Sequence, residues 1–265
     1  MSEKFGQAIE ARIQDKISNT DIPAVVMGKI SKSGEMFFSS DGPSRWDRDG
    51  NITPQNIFSI ASMTKVLTSV AALQLVEQKK ITLDQPLDQH LPEMSKMLIL
   101  NQDNKVIEPQ NSITLRHLLT HTAGFGYWFT SPQLGNWNQL KAEINWMENY
   151  QPRLFESGAS FMYGTNLDWV GRLIEKISGI DLVLDTYVRW GMGFALPAKN
   201  DTWMSYFENQ RTCFWCGWGG SLAIADSQSQ VSLGYAPLRM EESVFGSDRS
   251  DSIVRAFVDC LSALN

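Results

Sequence analysis

A serine and a lysine stand three positions apart at the start of a long apolar stretch. Residues 58–65 read Phe-Ser-Ile-Ala-Ser-Met-Thr-Lys, so Ser62 and Lys65 form an S-x-x-K pattern. Positions i and i+3 share one helical face, which lets the lysine amine approach the serine hydroxyl. A serine hydroxyl is a weak nucleophile and needs a neighbour that takes its proton. The first helical turn also offers unpaired N–H groups to a developing oxyanion. The pattern therefore indicates acyl transfer through Ser62.

Three later segments accompany this pair along the chain. They are Leu115-Arg-His-Leu-Leu-Thr-His-Thr-Ala-Gly-Phe125, the segment Phe161-Met-Tyr-Gly-Thr-Asn166 that opens a helix, and Trp218-Gly-Gly-Ser221. In this order the four motifs resemble the superfamily of class C β-lactamases, DD-peptidases and related esterases and transesterases, the esterase and transesterase branch most closely. The S-x-x-K signature is typical of β-lactamases and penicillin-binding proteins. The similarity covers about residues 20–180 and 190–240.

The resemblance implies a role for each matched residue. Ser62 attacks the acyl carbon, while Lys65 and Tyr163 share the proton transfers. Free tyrosine and lysine have pKa values of ~10 and ~10.4, so either pKa must be lowered for that residue to act as the base near neutrality. Which of the two takes the proton stays open at this point. The backbone N–H groups of Ser62 and Ser221 form the oxyanion hole, and the implied oxyanion and substrate-binding residues are Ser62, Asn166, Trp218, Gly220 and Ser221.

Two departures from the family pattern bear on the substrate. Thr165 stands where Y-x-N has its asparagine, and Asn166 follows one position later. Trp218 takes the place of the lysine of K-T-G, which in lactamases and DD-peptidases helps to hold the substrate carboxylate. Because an indole cannot pair with a carboxylate, we expect a neutral ester or thioester as substrate, and not a β-lactam. The second acceptor stays open between water, an alcohol and an amine.

Hydrophobic periodicity and turn residues indicate the elements that must position these groups. Strands are expected at 24–30, 35–40, 192–196, 219–225 and 231–235, and helices at 3–18, 62–79, 113–120, 140–150, 166–178 and 252–264. In the helix at 62–79 the expected inner face consists of Val66, Ser69, Val70, Leu73 and Val76. Thr114 is the expected cap of one helix and Gly179 the end of another. The pattern predicts an α+β fold whose antiparallel sheet is built from N- and C-terminal strands flanked by helices.

The whole chain, residues 1–265, reads as one β-lactamase-like domain. Its sheet lobe is expected to comprise 1–60 and 190–265, and its helical lobe 61–189. Residues 180–189 alone separate the helix that ends at Gly179 from the next expected strand, where the family continues with a long helical block. We therefore predict a shortened helical lobe. The alternative function is that of a catalytically impaired relative, which acts as a binding protein or is a truncated product.

Composition excludes several classes of function. The chain has 43% hydrophobic and 20% charged residues and a net charge of −6. It lacks a long basic run, which argues against nucleic acid as a partner, and it lacks the ~20-residue apolar run of a membrane span. The charged N-terminal residues and the three cysteines favour a cytoplasmic protein. The expected partner is a small-molecule acyl substrate, with no cofactor, and the sequence does not indicate an oligomeric state.

Two further motifs have a spacing that can indicate metal or redox chemistry, but each lacks a feature that such a site needs. Cys213 and Cys216 form a C-x-x-C, but a zinc site needs a second pair and only Cys260 remains. A redox role would place the motif at a helix start, whereas a glycine-rich segment follows it. His117 and His121 have the i, i+4 spacing of metal ligands without the glutamate of H-E-x-x-H or an evident third ligand. The resemblance makes both histidines packing or hydrogen-bonding residues, and no metal is predicted.

Overall fold

The computed structural model describes part of the chain: residues 11, 15, 24–34, 36–44, 50–58, 60–137, 140–141, 151–179, 212–217, 221–226 and 231–237. The strands in these ranges are β1 (Val25–Ser31), β2 (Met36–Asp41), β3 (Ile99–Leu100), β4 (Val106–Ile107), β5 (Thr212–Cys216), β6 (Leu222–Asp226) and β7 (Val231–Pro237). The α-helices are α1 (Thr64–Glu77), α2 (Leu115–Leu119), α3 (Pro132–Gly135) and α4 (Asn166–Ser178). Short 3₁₀ turns cover Ala61–Met63 and Pro92–Lys96.

The chain divides into two compact units. The first comprises Met1–Met63 with Phe194–Asn265, and the second comprises Thr64–Gly193. Several predicted elements lie outside the described residues, namely the helix at 252–264, the strand at 192–196 and the shortened segment at 180–189. Of the helix predicted at 140–150, the structure describes Leu140 and Lys141, and both are helical. Of the helix predicted at 3–18, the structure describes Ala11 and Asp15, and both are helical.

The first unit contains a five-stranded sheet in the order β2-β1-β7-β6-β5. Every neighbouring pair is antiparallel. The N-terminal hairpin β1–β2 thus pairs directly with the C-terminal strand β7, which confirms the predicted α+β fold with a sheet made from both ends of the chain. Phe214, Ile224 and Leu233 stand opposite one another on β5, β6 and β7 and are all buried. Such cross-strand apolar contacts stabilise the register.

Strand β5 is an element that the sequence prediction did not include. Its residues, Thr-Cys-Phe-Trp-Cys, are good strand formers, but the C-x-x-C spacing suggested a metal or redox motif instead of a strand. Residues three positions apart in a strand have Cα atoms ~10 Å apart, whereas a disulfide requires less than ~7 Å. Burial raises the pKa of the Cys216 thiol to about 12. The strand therefore disfavours redox chemistry at Cys213 and Cys216.

The second unit packs α1, α2 and α4 around one apolar core. Its buried residues include Leu87, Leu115, Leu118, Val170 and Leu173. Helix α2 begins at the predicted cap, because the Thr114 side chain accepts a hydrogen bond from the backbone N–H of His117. Helix α4 ends as predicted at Gly179, which adopts a left-handed conformation with φ of 69°. These two ends confirm the boundaries that the cap residues indicated.

The predicted face of α1 is buried only in part. Val70 and Leu73 are 45% and 42% exposed, and the buried side chains of this helix are Lys65, Thr68, Ser69, Ala72 and Leu75. Only Ser69 belongs to both sets, while Val66 and Val76 are half-buried against the core. Apolar residues occur on several sides of this helix, so periodicity does not single out one face. The structure thus buries the face that carries Lys65.

Arg153 is fully buried in the second unit and fixes three segments of it. Its Nε donates to the carbonyl of Met97 at 3.3 Å, and its Nη1 donates to the carbonyl of Ala123 at 3.2 Å and to Ser157 Oγ at 2.8 Å. Hydrogen bonds to charged groups contribute ~1.5–3 kcal/mol each, and truncation also leaves a cavity.

We expect Arg153→Ala to lower the free energy of unfolding by about 3 kcal/mol or more, measured by urea denaturation followed by circular dichroism. The control is Arg116→Ala, which removes an exposed ion pair with Asp84 and should leave the urea midpoint nearly unchanged. Equal midpoints for the Arg153→Ala and Arg116→Ala proteins would contradict the assigned contacts.

Candidate active site

Ser62 lies in the 3₁₀ turn Ala61–Met63, and helix α1 begins directly after it at Thr64. The side chain of Ser62 is half-buried. The residue before it, Ala61, has φ of 42°, in the left-handed region that costs an L-residue roughly 1–2 kcal/mol. Strained backbone of this kind is concentrated at functional sites. The predicted nucleophile therefore follows a strained residue on a tight turn.

Ser221 lies beside the same turn within the first unit. Its Oγ donates to the carbonyl of Ile60 at 3.4 Å, and its own carbonyl accepts from the backbone N–H of Gly217 at 2.8 Å. A Cβ atom on Gly217 would stand 2.4 Å from the Ile60 carbonyl oxygen, so only glycine allows this approach. The chain after β5 is thereby held against the residues that precede Ser62. Of the other residues expected at this edge, Trp218 and Gly220 lie outside the described residues.

Lys65 is 0% exposed and lies among aromatic side chains of the second unit. Its Nζ donates to the phenolic oxygen of Tyr127 at 3.4 Å and stands 5.0 Å from the ring centroid of Tyr163. Burial lowers the pKa of Lys65 to about 6, against the opposing effect of the Asp168 carboxylate, which raises it. The amine is therefore largely neutral at pH 7. The structure thus brings the predicted pair Lys65 and Tyr163 together. That Ser62 accompanies them is inferred from its position three residues before Lys65 in the sequence.

Tyr127 is a member of this cluster that the sequence prediction missed. Its ring is buried, stacks on Phe129 at 5.0 Å and meets Tyr163 edge to face at 5.6 Å. Burial raises the pKa of Tyr127, as do the nearby charges of Asp168 and Tyr163, so its phenol stays protonated. The residue stands three positions after the matched L-L-T-H-T-x-G motif, within an aromatic run that looks like ordinary core. Its nearness to that motif is the signal that could have identified it.

Gly164 explains how Tyr163 reaches Tyr127. A Cβ atom at this position would stand 2.1 Å from the carbonyl oxygen of Phe125 and 2.5 Å from Cα of Gly126. The two backbone segments therefore cross at a distance that only glycine permits. The residue before this crossing is Tyr163, and the residue after the other segment is Tyr127. Backbone contact thus sets the distance between the two phenols.

Asn166 is 0% exposed at the first turn of α4. Its Nδ2 contacts His121 Nδ1 at 3.0 Å and the backbone carbonyls of Phe125 and Met162 at 3.1 and 3.2 Å. Substrate binding by Asn166 remains a prediction, and these contacts engage its amide nitrogen inside the protein. His117, the other histidine of this motif, accepts from the backbone N–H of Thr114 as part of the helix cap. Among the described residues, no group of three or more His, Cys, Asp or Glu side chains is placed to hold a metal ion.

Comparison with protein families gives one match that covers most of the chain. The Beta-lactamase family model matches residues 9–188. Acyltransferase mokF of Monascus pilosus is 32% identical over 192 residues, which cover 66% of this chain and 46% of that protein. Lovastatin esterase of Penicillium rubens is 31% identical over 189 residues, which cover 64% of this chain and 47% of that protein. The chain thus matches slightly less than half the length of these curated relatives.

Solved structures with the same fold include two that align over nearly the whole of both chains. Simvastatin synthase (LovD) from Aspergillus terreus aligns with a TM-score of 0.71 and 18% identity, over 99% of each chain. EstCE1, a hydrolase with promiscuous acyltransferase activity, aligns with a TM-score of 0.73 and 14% identity, over 97% of this chain and 99% of that one. At these identities the likeness shows the fold. Within the part of the chain that the structure describes, no helix is long and apolar enough to cross a membrane.

Proposed function

The chain belongs to the β-lactamase family, and from this membership we propose that it transfers acyl groups from a small ester through an acyl-enzyme on Ser62. The observation that carries the proposal is the burial of Lys65 between two tyrosines. A fully buried amine with a pKa of about 6, flanked by two tyrosines, follows the predicted nucleophile by three positions. A neutral amine is a base, whereas an ammonium is not. Perturbed groups of this kind are typical of catalytic sites.

In the proposed mechanism the Ser62 hydroxyl attacks the ester carbonyl while its proton passes to the Lys65–Tyr163 pair. The backbone N–H groups of Ser62 and Ser221 stabilise the oxyanion, a donor type whose loss costs ~3 kcal/mol in other enzymes. Collapse of the tetrahedral species breaks the bond to the alcohol, which leaves with the transferred proton. Water or a second alcohol or amine then attacks the Ser62 ester, so hydrolysis and transesterification differ only in this acceptor.

The geometry favours Lys65 over Tyr127 as the proton acceptor. The amine donates a hydrogen bond to Tyr127, and a neutral amine also has a lone pair that can accept a proton. Tyr127, whose pKa is raised, acts as a neutral acceptor that orients the amine. Tyr163 stands next to the amine and relays the proton to the leaving alcohol. This assignment gives the two tyrosines different tasks, although both contact Lys65.

The proposed substrate is a neutral ester with a small acyl group. The curated relatives include Monacolin J acid methylbutanoyltransferase of Aspergillus terreus, whose name specifies a short branched acyl group. The tryptophan at position 218 cannot hold a substrate carboxylate by an ion pair. We expect the protein to hydrolyse p-nitrophenyl butyrate at least a hundredfold faster than nitrocefin. Comparable kcat/KM values for the two compounds would overturn this substrate assignment.

The activity itself is tested with Ser62→Ala. The variant should lose hydrolysis of p-nitrophenyl butyrate to the level of buffer, with an unchanged cooperative melt. Ser69→Ala is the matched control, because Ser69 is a buried serine on the second turn of α1. A wild-type protein that melts cooperatively and hydrolyses no ester would favour the alternative, a catalytically impaired relative that serves in binding. We also propose that the reaction passes through an acyl-enzyme and that the protein is located in the cytoplasm.

The pKa of Lys65 predicts the pH dependence. Because the amine must be neutral to act as base, kcat/KM for p-nitrophenyl butyrate should rise through an inflection near pH 6 and level off by about pH 8. The Asp168 carboxylate raises this pKa, so Asp168→Asn should move the inflection to lower pH. Glu175→Gln, the same change of charge on the same helix, should leave it in place. A kcat/KM that falls above pH 6 would show that the ammonium is the active form and that Tyr163 is the base.

A further inference from the structure

His121 adopts a backbone conformation that is costly for a residue other than glycine. Its φ of 56° lies in the left-handed region, which costs roughly 1–3 kcal/mol where it persists. Two backbone hydrogen bonds hold it there: His121 N–H donates to the carbonyl of Leu118 at 3.2 Å, and its carbonyl accepts from the N–H of Met162 at 2.8 Å. Met162 directly precedes Tyr163. The backbone of His121 therefore fixes the segment that carries the catalytic phenol.

The imidazole of His121 is buried against the side-chain amide of Asn166. The amide nitrogen of Asn166 lies 3.0 Å from Nδ1 of His121, and it also contacts two backbone carbonyls, so its two hydrogens serve two of three acceptors at a time. The two backbone carbonyls on the same nitrogen fix the orientation of the Asn166 amide. Burial lowers the pKa of His121 to about 3, and the nearby Lys65 lowers it further in the same direction. The ring is therefore neutral and places no positive charge beside the Lys65 amine.

The neutral ring packs directly on the catalytic phenol. The centroids of His121 and Tyr163 are 4.8 Å apart, and those of His121 and Phe161 are 6.0 Å apart. His121 is 4% exposed, and its Nε2 has no hydrogen-bond partner among the described residues. A buried imidazole that leaves a polar atom unsatisfied is costly for stability. The ring occupies this position beside Tyr163 despite that cost.

We propose that His121 and Asn166 are a positioning pair that holds the ring of Tyr163 against Lys65. The inference rests on the proposed function, because it concerns the alignment of a catalytic tyrosine. Asn166 sets the rotation of the imidazole, the imidazole supports one part of the Tyr163 ring, and Lys65 contacts that ring as well. Misplacement of a catalytic group by ~1 Å costs about a hundredfold in rate. Loss of the pair should therefore lower kcat with little change in KM.

The test is a double-mutant cycle between His121→Asn and Tyr163→Phe. Asparagine is well suited to φ > 0 and its oxygen replaces the acceptor at Nδ1, so the variant removes mainly the ring contact. We expect His121→Asn to lower kcat for p-nitrophenyl butyrate tenfold to a hundredfold and to change KM less than threefold. In the Tyr163→Phe background the same substitution should have no further effect, because the group that it positions has lost its hydroxyl.

His117→Asn is the matched control, since it changes the other histidine of the motif, retains a cap acceptor for Thr114 and should leave kcat unchanged. Equal losses from His121→Asn in both backgrounds would show a merely structural role and overturn the inference, as would an unchanged kcat. If His121→Asn does not melt cooperatively, Asn166→Ser is used in the same cycle with the same expectations. Failure of Ser62→Ala to abolish activity would overturn the proposed function instead.

Discussion

Replacing Lys65 by methionine is expected to lower kcat/KM for p-nitrophenyl butyrate at least a thousandfold and to raise the melting temperature. Methionine fills a similar volume but cannot accept a proton, and catalytic groups that act as a unit contribute on this scale. The stability gain follows from burial, because an amine whose pKa falls from 10.5 to about 6 on folding is costly to bury.

The same substitution should also change how stability depends on pH. Between about pH 6 and 10.5 the unfolded chain binds a proton on Lys65 that the folded chain does not bind. Stability of the wild-type protein should therefore rise with pH across this window, by this group's contribution, and Lys65→Met should remove that rise. The measurement is the urea midpoint at pH 6, 7.5 and 9. Lys176→Met, an exposed lysine on α4, is the control, and a Lys65→Met protein that keeps a tenth of the activity would contradict the assignment of the base.

Gly164→Ala is expected to lower kcat/KM at least a hundredfold and to destabilise the protein by about 2–3 kcal/mol. The added Cβ atom would meet the backbone at Phe125 and Gly126 at distances of 2.1 and 2.5 Å, and neither atom belongs to a side chain that could rotate away. The two segments must separate, which moves Tyr163 away from Tyr127 and Lys65. Overpacking of this kind costs ~1–3 kcal/mol, and the displacement of a catalytic group accounts for the larger loss in rate.

Gly171→Ala provides the control for this prediction. Gly171 lies in the interior of α4, and a Cβ atom there would meet nothing within 4 Å. Alanine should stabilise the helix by up to ~1 kcal/mol and leave kcat unchanged. Thermal melts and steady-state rates of the two alanine variants show whether the losses come from the backbone crossing at Gly164 or from any Gly→Ala change in this region. Wild-type activity in a stable Gly164→Ala protein would mean that the distance between the two tyrosines is not catalytically important.

The elements that the sequence predicted well are those with local signals. An apolar, partly β-branched run indicated β1, and the turn at Lys32-Ser-Gly34 indicated β2 as its hairpin partner. Cap residues located the ends of α2 and α4. The face of α1 could not be predicted in this way, because its buried side includes a lysine and two hydroxyl residues. Burial of Lys65 depends on contacts with Tyr127 and Tyr163, which lie 62 and 98 positions further along the chain. Periodicity contains no information about such contacts.

The sequence predicted those residues of the candidate site that belong to a motif. It missed the residues whose role depends on a short distance to a segment far away in the chain. Ser62 and Lys65 follow from the S-x-x-K spacing, and Tyr163 and Ser221 from the resemblance. Gly164 and Gly217 have no motif of their own, because their role is to leave room for the backbone of a distant segment. Tyr127 was missed for the same reason, because its role depends on the hydrogen bond that it accepts from Lys65. These distances exist only in the folded chain.

The most direct test of the account is the position of a covalent adduct. The protein is incubated with a fluorophosphonate, digested, and mapped by mass spectrometry. We expect one adduct, on the peptide that contains Ser62, which is absent in Ser62→Ala and forms far more slowly in Lys65→Met. An adduct on another residue, or none on Ser62 in a folded protein that hydrolyses p-nitrophenyl butyrate, would contradict the assignment of Ser62 as the nucleophile.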